Sequence, residues 1–247
     1  MQRLFVLSHH IQGTQVTLSK QDRYHLEVVK TKVKDPIELI VVDTKTYITG
    51  NIQAFSKRYI TLETIESKQL PPSTEPDITL IQCLAKPDRF GEILRACTEI
   101  GVNTFIPTIS ERVISNPEKK ESNKLERWNS IIFSASSQSR RNELPFISPI
   151  VELGNISNSY DLALVFWEEE TFTQAKSVIR PFFEQWTQPT PPKIGVIIGP
   201  EGGLSPEEVE SLKQKNFIPV SLGTSILRVE HAGLVACGMI NYEAKSV

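Results

Sequence analysis

Hydrophobic and polar positions follow two different periods along the chain. Up to about residue 70 the apolar residues come in short, β-branched or aromatic runs. These are Leu4 to Val6, Val16 to Leu18, Pro36 to Asp43, Tyr47 to Ile52 and Tyr59 to Ile65. Several strands at this spacing predict a small β-barrel. Between them, Leu26, Val29 and Val33 recur at helical spacing in and after the segment Asp22 to Lys30. The stretch from Gln69 to Pro76 carries Pro71, Pro72 and Pro76 and reads as a stiff, extended connector. The expected organisation is a first domain over 1–70, a linker over 71–76 and a second domain over 77–247.

In the second domain the pattern changes to strands alternating with helices. Ile78 to Leu84 reads as a buried strand. Asp88 to Ile100 places Phe90, Ile93, Leu94, Cys97 and Ile100 on one helical face, and Gly101 stops the helix. Thr104 to Pro107 is the next strand, so the domain opens as a βαβ unit and predicts an α/β fold with a parallel sheet. Leu125 to Gln138 reads as a helix burying Leu125, Trp128, Ile131, Ile132 and Ala135. Leu162 to Glu168 is a buried strand ending in acidic residues, and residues 171–186 are predicted as a helix.

The most informative stretch starts at the apolar run Val196 to Ile198 and breaks at Gly199-Pro200-Glu201-Gly202-Gly203. Ser205, Pro206 and Glu208 then start a helix with an N-cap, a first-position proline and a capping box. Strand, glycine turn and helix start describe a ligand-binding loop at the C-terminal edge of a parallel sheet. Neither Gly-x-Gly-x-x-Gly nor a terminal Gly-Lys-Ser/Thr is present, and Glu201 would repel a pyrophosphate. From the glycines alone, a plain tight βα turn is an equal reading. A second strand and glycine turn follow from Val220 to Gly233. Ala232 to Ile240 is apolar nearly all round, which buries that helix in the core or against a partner subunit. Arg228 and Glu230 stand at its mouth, where charges are either paired with each other or used.

Composition narrows the class. With 39% hydrophobic and 23% charged residues the chain is an ordinary globular protein. No apolar run reaches membrane-span length, and Met1 to His10 lacks a signal-peptide core, so the expected location is cytoplasmic. Cys83, Cys97 and Cys237 read as reduced thiols, and His9, His10, His25 and His231 form no metal motif, so no metal is expected. The net charge of −2 excludes a generic polyanion binder. Residues 1–70 carry +3 against −5 for the remainder, so an RNA footprint would include the N-terminal part.

Two motifs together carry a resemblance. Ile198-Gly199-Pro200-Glu201-Gly202-Gly203-Leu204-Ser205, followed by Leu222-Gly223-x-x-Ile226-Leu227-Arg228-x-Glu230-x-Ala232, resembles the trefoil-knot (SPOUT) RNA methyltransferases. Within them it looks like the bacterial family that methylates N3 of a uridine in small-subunit ribosomal RNA. Glu99 to Val102, Ser110 to Arg112, and Gln138, Arg141 and Pro145 extend the match. The resemblance implies a PUA-like barrel ahead of a knotted methyltransferase domain, S-adenosyl-L-methionine as cofactor, 16S ribosomal RNA in the small subunit as partner, and a homodimer. It implies a cofactor site at Trp167, Glu168, Gly199, Pro200, Glu201, Gly202, Leu222, Gly223, Ile226 and Leu227. RNA contacts would come from Arg3, Lys86, Arg112, Arg140 and Arg141. For the acceptor step, Arg228 or Arg141 would stabilise an ionised uracil, and Glu201 or Glu230 would accept its proton. This chain departs from the family at Ser137, which replaces a Glu, and at Val229 and His231, which replace Thr. Two other readings fit the same residues: a knotted methyltransferase acting on another RNA position, and a noncatalytic assembly factor that retains the fold.

Overall fold

A computed structural model describes residues 2–19, 22–23, 26–27, 30–56, 58–113 and 121–245. His25 and the predicted helical position Val29 lie outside the described residues. Contacts divide the chain into two compact units: Met1–Pro72 with Ile132–Leu144, and Ser73–Ile131 with Pro145–Val247.

The first unit contains a sheet of β1 (Gln2–Val6), β2 (Ile11–Gln12), β3 (Gln15–Thr17), β4 (Pro36–Val41), β5 (Thr46–Phe55) and β6 (Tyr59–Gln69). Their order among the described residues is β1-β4-β5-β6-β3-β2. β1 and β4 are parallel, and the other neighbours are antiparallel. The period of two along a strand sorts the side chains by face. Leu4 and Val6 of β1 join Ile37, Leu39 and Val41 of β4 in one core, with Ile52, Ile60 and Leu62. Phe5 and Ile40 turn the other way and meet Phe133, the two rings at 5.9 Å, edge to face.

Arg3 and Glu38 sit opposite each other in the β1–β4 register, on the Phe5 side. Arg3, expected as an RNA contact, is bonded within its own unit. Only 7% of Arg3 is exposed, and its guanidinium bonds inside the unit through Nε and Nη1. Nε donates to Glu38 Oε2 at 2.8 Å, and Nη1 donates to the carbonyls of Arg140 (2.6 Å) and Arg141 (2.9 Å) and to Asn142 Oδ1 (2.8 Å). Tyr47 adds a hydroxyl to Glu38 at 3.1 Å and a ring face 5.6 Å from the guanidinium. A buried charge persists only when it is so surrounded. Arg3 therefore positions the turn that carries Arg140, which is exposed and in a left-handed conformation (φ 55°). Arg141 donates from Nε to the Glu143 carbonyl at 3.3 Å, and burial pushes its guanidinium pKa down to about 10.

The second unit is built on β7 (Asp77–Cys83), α1 (Pro87–Ile100), β8 (Thr104–Ile109), α2 (Glu121–Gln138, grouped with the first unit from Ile132), β9 (Phe146–Ile147), β10 (Val151–Glu152), β11 (Leu162–Phe166), α3 (Ala175–Gln185), β12 (Lys193–Ile198), α4 (Pro206–Gln214), β13 (Ile218–Val220) and α5 (Val229–Ala244). The sheet order among the described residues is β10-β8-β7-β12-β11-β13, with β9 also on β8, and every pair is parallel. β11 and β12 are buried almost end to end, as strands covered on both faces must be. Gly101, at φ 116°, ends α1, and Ile100 just before it is 36% exposed rather than buried. The predicted helix over 171–186 begins only at Ala175, because the Thr173 carbonyl accepts from the Ser221 N–H (2.8 Å) and holds the preceding residues in a loop. α5 packs against α1, α3, β7 and β12. Glu243 of α5 is buried and pairs with Arg180 of α3 at 3.0 Å. All three cysteines are buried and free. Among the described residues no helix is long and apolar enough to cross a membrane.

The buried Arg3–Glu38 pair makes a testable stability claim. Arg3→Ala strands Glu38 and three acceptors of the 140–142 turn. It is expected to cost about 3–5 kcal/mol in denaturant unfolding. Arg3→Met combined with Glu38→Leu should recover the part of that loss due to the stranded Glu38 charge, the three acceptors of the turn remaining without their donor, and equal stability of the single and double variants would show that the charge pair is not the cause.

Candidate active site

Parallel register brings the strand ends level. Phe166, the last residue of β11, pairs with Ile198 of β12 and with Val220 of β13, and Ile198 pairs with Gln82 of β7. The loops leaving β11, β12 and β13 therefore open side by side at one edge of the sheet, where α/β folds bind ligands. They enclose a cleft of about 690 Å³ with Phe166, Ile198, Val229 and Ala232 as apolar wall. Trp167 and Glu168 line it from the first loop, and Gly199, Pro200, Glu201 and Gly203 from the second. Leu222, Gly223, Ile226, Leu227 and Arg228 line it from the third.

Each loop is held by its own bonds. In the second loop the Gly203 N–H donates to the Pro200 carbonyl at 3.0 Å, closing a four-residue turn. Gly203 has φ +70°, and a Cβ there would overlap the Glu168 carboxylate, so a side chain is excluded on two grounds. The turn then hands over to α4. Glu208 N–H donates to Ser205 Oγ at 3.3 Å, and Ser205 N–H donates to Glu208 Oε2 at 2.9 Å, the reciprocal cap read from the sequence. Trp167 Nε1 donates to the Leu204 carbonyl at 3.3 Å and so joins the first loop to the second. Beneath the turn, Gln82 is 1% exposed and its Nε2 lies 3.4 Å from the Gly199 carbonyl.

Charged groups alternate across the mouth. The Lys86 N–H donates to Glu201 Oε1 at 3.0 Å. Arg89 Nη1 lies 3.8 Å from Glu201 Oε1 and 3.8 Å from Glu230 Oε2. Glu230 Oε1 in turn lies 4.0 Å from Arg228 Nη1. The side chain of Glu230 is 10% exposed and that of Arg228 77% exposed, so one end of this chain is fixed and the other reaches into solvent. Glu230 Oε2 has no hydrogen-bond partner. The site thus offers a cleft with an apolar wall on one side, polar side chains and loop backbone around the rest, and a nearly buried carboxylate and a projecting guanidinium at its mouth.

The RNA methyltransferase domain family matches residues 72–241. The chain belongs to the RNA methyltransferase family. Within that family, the ribosomal RNA small subunit methyltransferase E of Aquifex aeolicus is 30% identical over 91% of this chain and 93% of its own length. The protein of that name from Synechocystis is 36% identical over 73% of this chain, and the match spans 57% of that relative. Among solved structures, the ribosomal RNA small subunit methyltransferase E from Neisseria gonorrhoeae bound to S-adenosyl methionine superposes with a TM-score of 0.80 at 27% identity, covering 98% of this chain and 97% of that one.

In this member of the methyltransferase family, the structure gathers the predicted site residues unevenly. Nine of the ten positions expected around the cofactor line the cleft. Gly202 does not: its carbonyl accepts from Arg112 Nη1 at 3.2 Å, and a Cβ there would meet the Arg112 side chain at 3.3 Å. Arg112 is therefore tied to the turn, while Lys86 projects into solvent beside it. Arg228 and Glu201 line the cleft, and Glu230 stands against them; Arg140 and Arg141 belong to the first unit. The sequence reading missed Arg89 and Gln82. Arg89 lies in the first turn of α1, three residues after Lys86, and its signal was only a cation at a helix start beside a matched motif.

The two central glycines of the turn should respond differently. Gly203→Ala meets both a positive φ and Glu168 and is expected to lose about 1–3 kcal/mol of stability. Gly202→Ala, with a small adjustment of Arg112, should stay within roughly 1 kcal/mol of wild type. Denaturant unfolding of both variants checks this, and equal losses would refute the assigned turn geometry.

Proposed function

We propose that this chain transfers the methyl group of S-adenosylmethionine to N3 of a uridine in 16S ribosomal RNA of the small subunit. The observation that carries the reading is the cleft at the level strand ends, with a fixed carboxylate and a projecting guanidinium at its mouth. The cofactor fits the residues present. A volume of about 690 Å³ lies within the range of small-molecule sites. Its apolar wall suits an adenine ring, and the carboxylates of Glu168 and Glu170, both on the lining, suit ribose hydroxyls or a cationic group. When bound, S-adenosylmethionine supplies a methyl group on a positively charged sulfur. The turn at Gly199–Gly203 and the turn at Leu222–Leu227 bind and orient it, and Trp167 closes the space between their loops.

Neutral uracil is a poor nucleophile at N3. Arg228 stabilises the negative charge that develops on the uracil oxygens as the N3 proton leaves. Glu230 Oε2, buried and without a hydrogen-bond partner, accepts that proton. Glu201, held by the Lys86 N–H and Arg89, fixes the glycine turn instead. Lys86, Arg112, Arg140 and Arg141 contact RNA phosphates. The first unit acts as a PUA-like RNA-binding barrel, and the C-terminal segment through α5 is threaded as a trefoil knot. α5 presents Val235 and Tyr242 to solvent and supplies the contact of a homodimer. Its substrate places the enzyme in the cytoplasm.

Two experiments test this. Mass spectrometry of small-subunit ribosomal RNA from cells with and without the protein should show one N3-methyluridine that depends on it. A methyl group at another position would move the reading to a different knotted methyltransferase, and none at all would move it to an assembly factor. Arg228→Ala should bind cofactor and subunit nearly normally while its single-turnover barrier rises by about 2–4 kcal/mol. That loss should shrink with rising pH as the uracil ionises unaided, and Arg228→Lys should recover part of it. A pH-independent loss would remove Arg228 from the acceptor step.

A further inference from the structure

Phe172 is 95% exposed, beside the cleft, in a loop whose backbone is tied down on both sides of it. Its neighbours Glu170, Thr171 and Gln174 line the cleft, whereas its own ring stands outside. Glu170 Oε1 accepts from the N–H groups of both Phe172 and Thr173 at 2.8 Å, and these bonds hold the Glu170 carboxyl below its usual pKa. The loop is further fixed to the third cleft loop. Ser221 N–H donates to the Thr173 carbonyl (2.8 Å), and Ala175 N–H donates to the Ser221 carbonyl (3.0 Å). That third loop carries another exposed apolar side chain, Ile226, at 81%. A large ring left in water on a floppy loop would need no explanation. One left in water on a pinned loop is pre-organised for a contact.

We infer that Phe172 is a stacking platform for a nucleobase flanking the methylated nucleotide. This rests on the reading of the chain as an enzyme of ribosomal RNA. N3 lies on the pairing edge of uracil, so the acceptor must be unpaired and drawn from its stack to reach the cleft. Its neighbour in the strand then loses a stacking partner, and an aromatic ring at the rim replaces it. The surroundings favour a base over other partners. Phe172 is a single exposed ring in a segment that is otherwise polar from Glu168 to Gln174, whereas a protein interface needs a wider apolar patch. One base face matches one ring.

The test compares Phe172→Ala, Phe172→Leu and Phe172→Trp with wild type, using small ribosomal subunits from cells that lack the protein. Phe172→Ala should weaken subunit affinity by roughly 5- to 100-fold, the usual effect of removing one stacked aromatic. Phe172→Trp should bind like wild type, and Phe172→Leu, apolar without a π face, should fall near the alanine variant. S-adenosylmethionine affinity, thermal stability and sedimentation mass should not change in any of them, because the ring is outside the cleft and in solvent. Wild-type affinity in Phe172→Ala overturns the inference, as does full binding by Phe172→Leu. A drop in sedimentation mass for Phe172→Ala also overturns it, by giving the ring to a second copy of the chain. If wild type itself neither binds nor methylates the subunits, the enzyme reading falls and takes this inference with it; a normal wild type with an unaffected alanine variant sinks only the platform.

Discussion

Parallel pairing governs the second unit. A strand can join a parallel neighbour only through a crossover, and each crossover returns the chain to the same edge before the next strand begins. β11 and β12 are buried runs with no polar face to spare, so their register is fixed by packing and not by turn chemistry, and β13 pairs onto β11 through Val220, which is buried. That register sets Phe166, Ile198 and Val220 level. A shift of one residue would turn the side chains of the strand to the opposite face and stagger the three loops. The cleft is therefore a consequence of core packing, and the glycine turn only exploits a position the sheet has already set.

Electrostatics at the mouth ties together segments that are far apart in the chain. Exposed ion pairs at 3.8–4.0 Å are individually weak. Glu230 is a different case, because nearly all of its side chain is out of water and its charge needs nearby cations. Arg89 and Arg228 supply them from opposite sides. Arg89 shares itself with Glu201, so the start of α1, the glycine turn and the start of α5 adjust to one another. A change in any of the four charges alters the field felt by the other three.

Local signals were legible in the sequence, and long-range ones were not. The reciprocal cap at Ser205 and Glu208, the stop at Gly101 and the glycine turn after β12 depend on residues within a few positions of each other, and residue type alone reports them. The place of Arg3 depends on partners 35 and 137 positions away, and nothing near the N-terminus distinguishes it from a surface arginine. Arg89 was hidden for the same reason. The loop over 171–174 has helix-compatible composition, and a hydrogen bond from Ser221 keeps it out of the helix. The glycine motif marked the turn but not its strained member: residue type is the same at 202 and 203, and only the positive φ of Gly203 in the folded turn separates them.

The discontinuity of the first unit has a consequence for how the chain leaves the ribosome that makes it. Met1–Pro72 holds the sheet, but Phe133, the carbonyls of Arg140 and Arg141, and Asn142 arrive only with Ile132–Leu144. At about 5–20 residues per second, roughly 4–14 s separate the emergence of the sheet from that of its last segment. During that interval Arg3 and Glu38 have each other but not the turn, and Phe5 and Ile40 lack their cover. The unit that holds the sheet is thus completed only after Ser73–Ile131 of the second unit has been translated, and until then the sheet carries apolar surface without its cover.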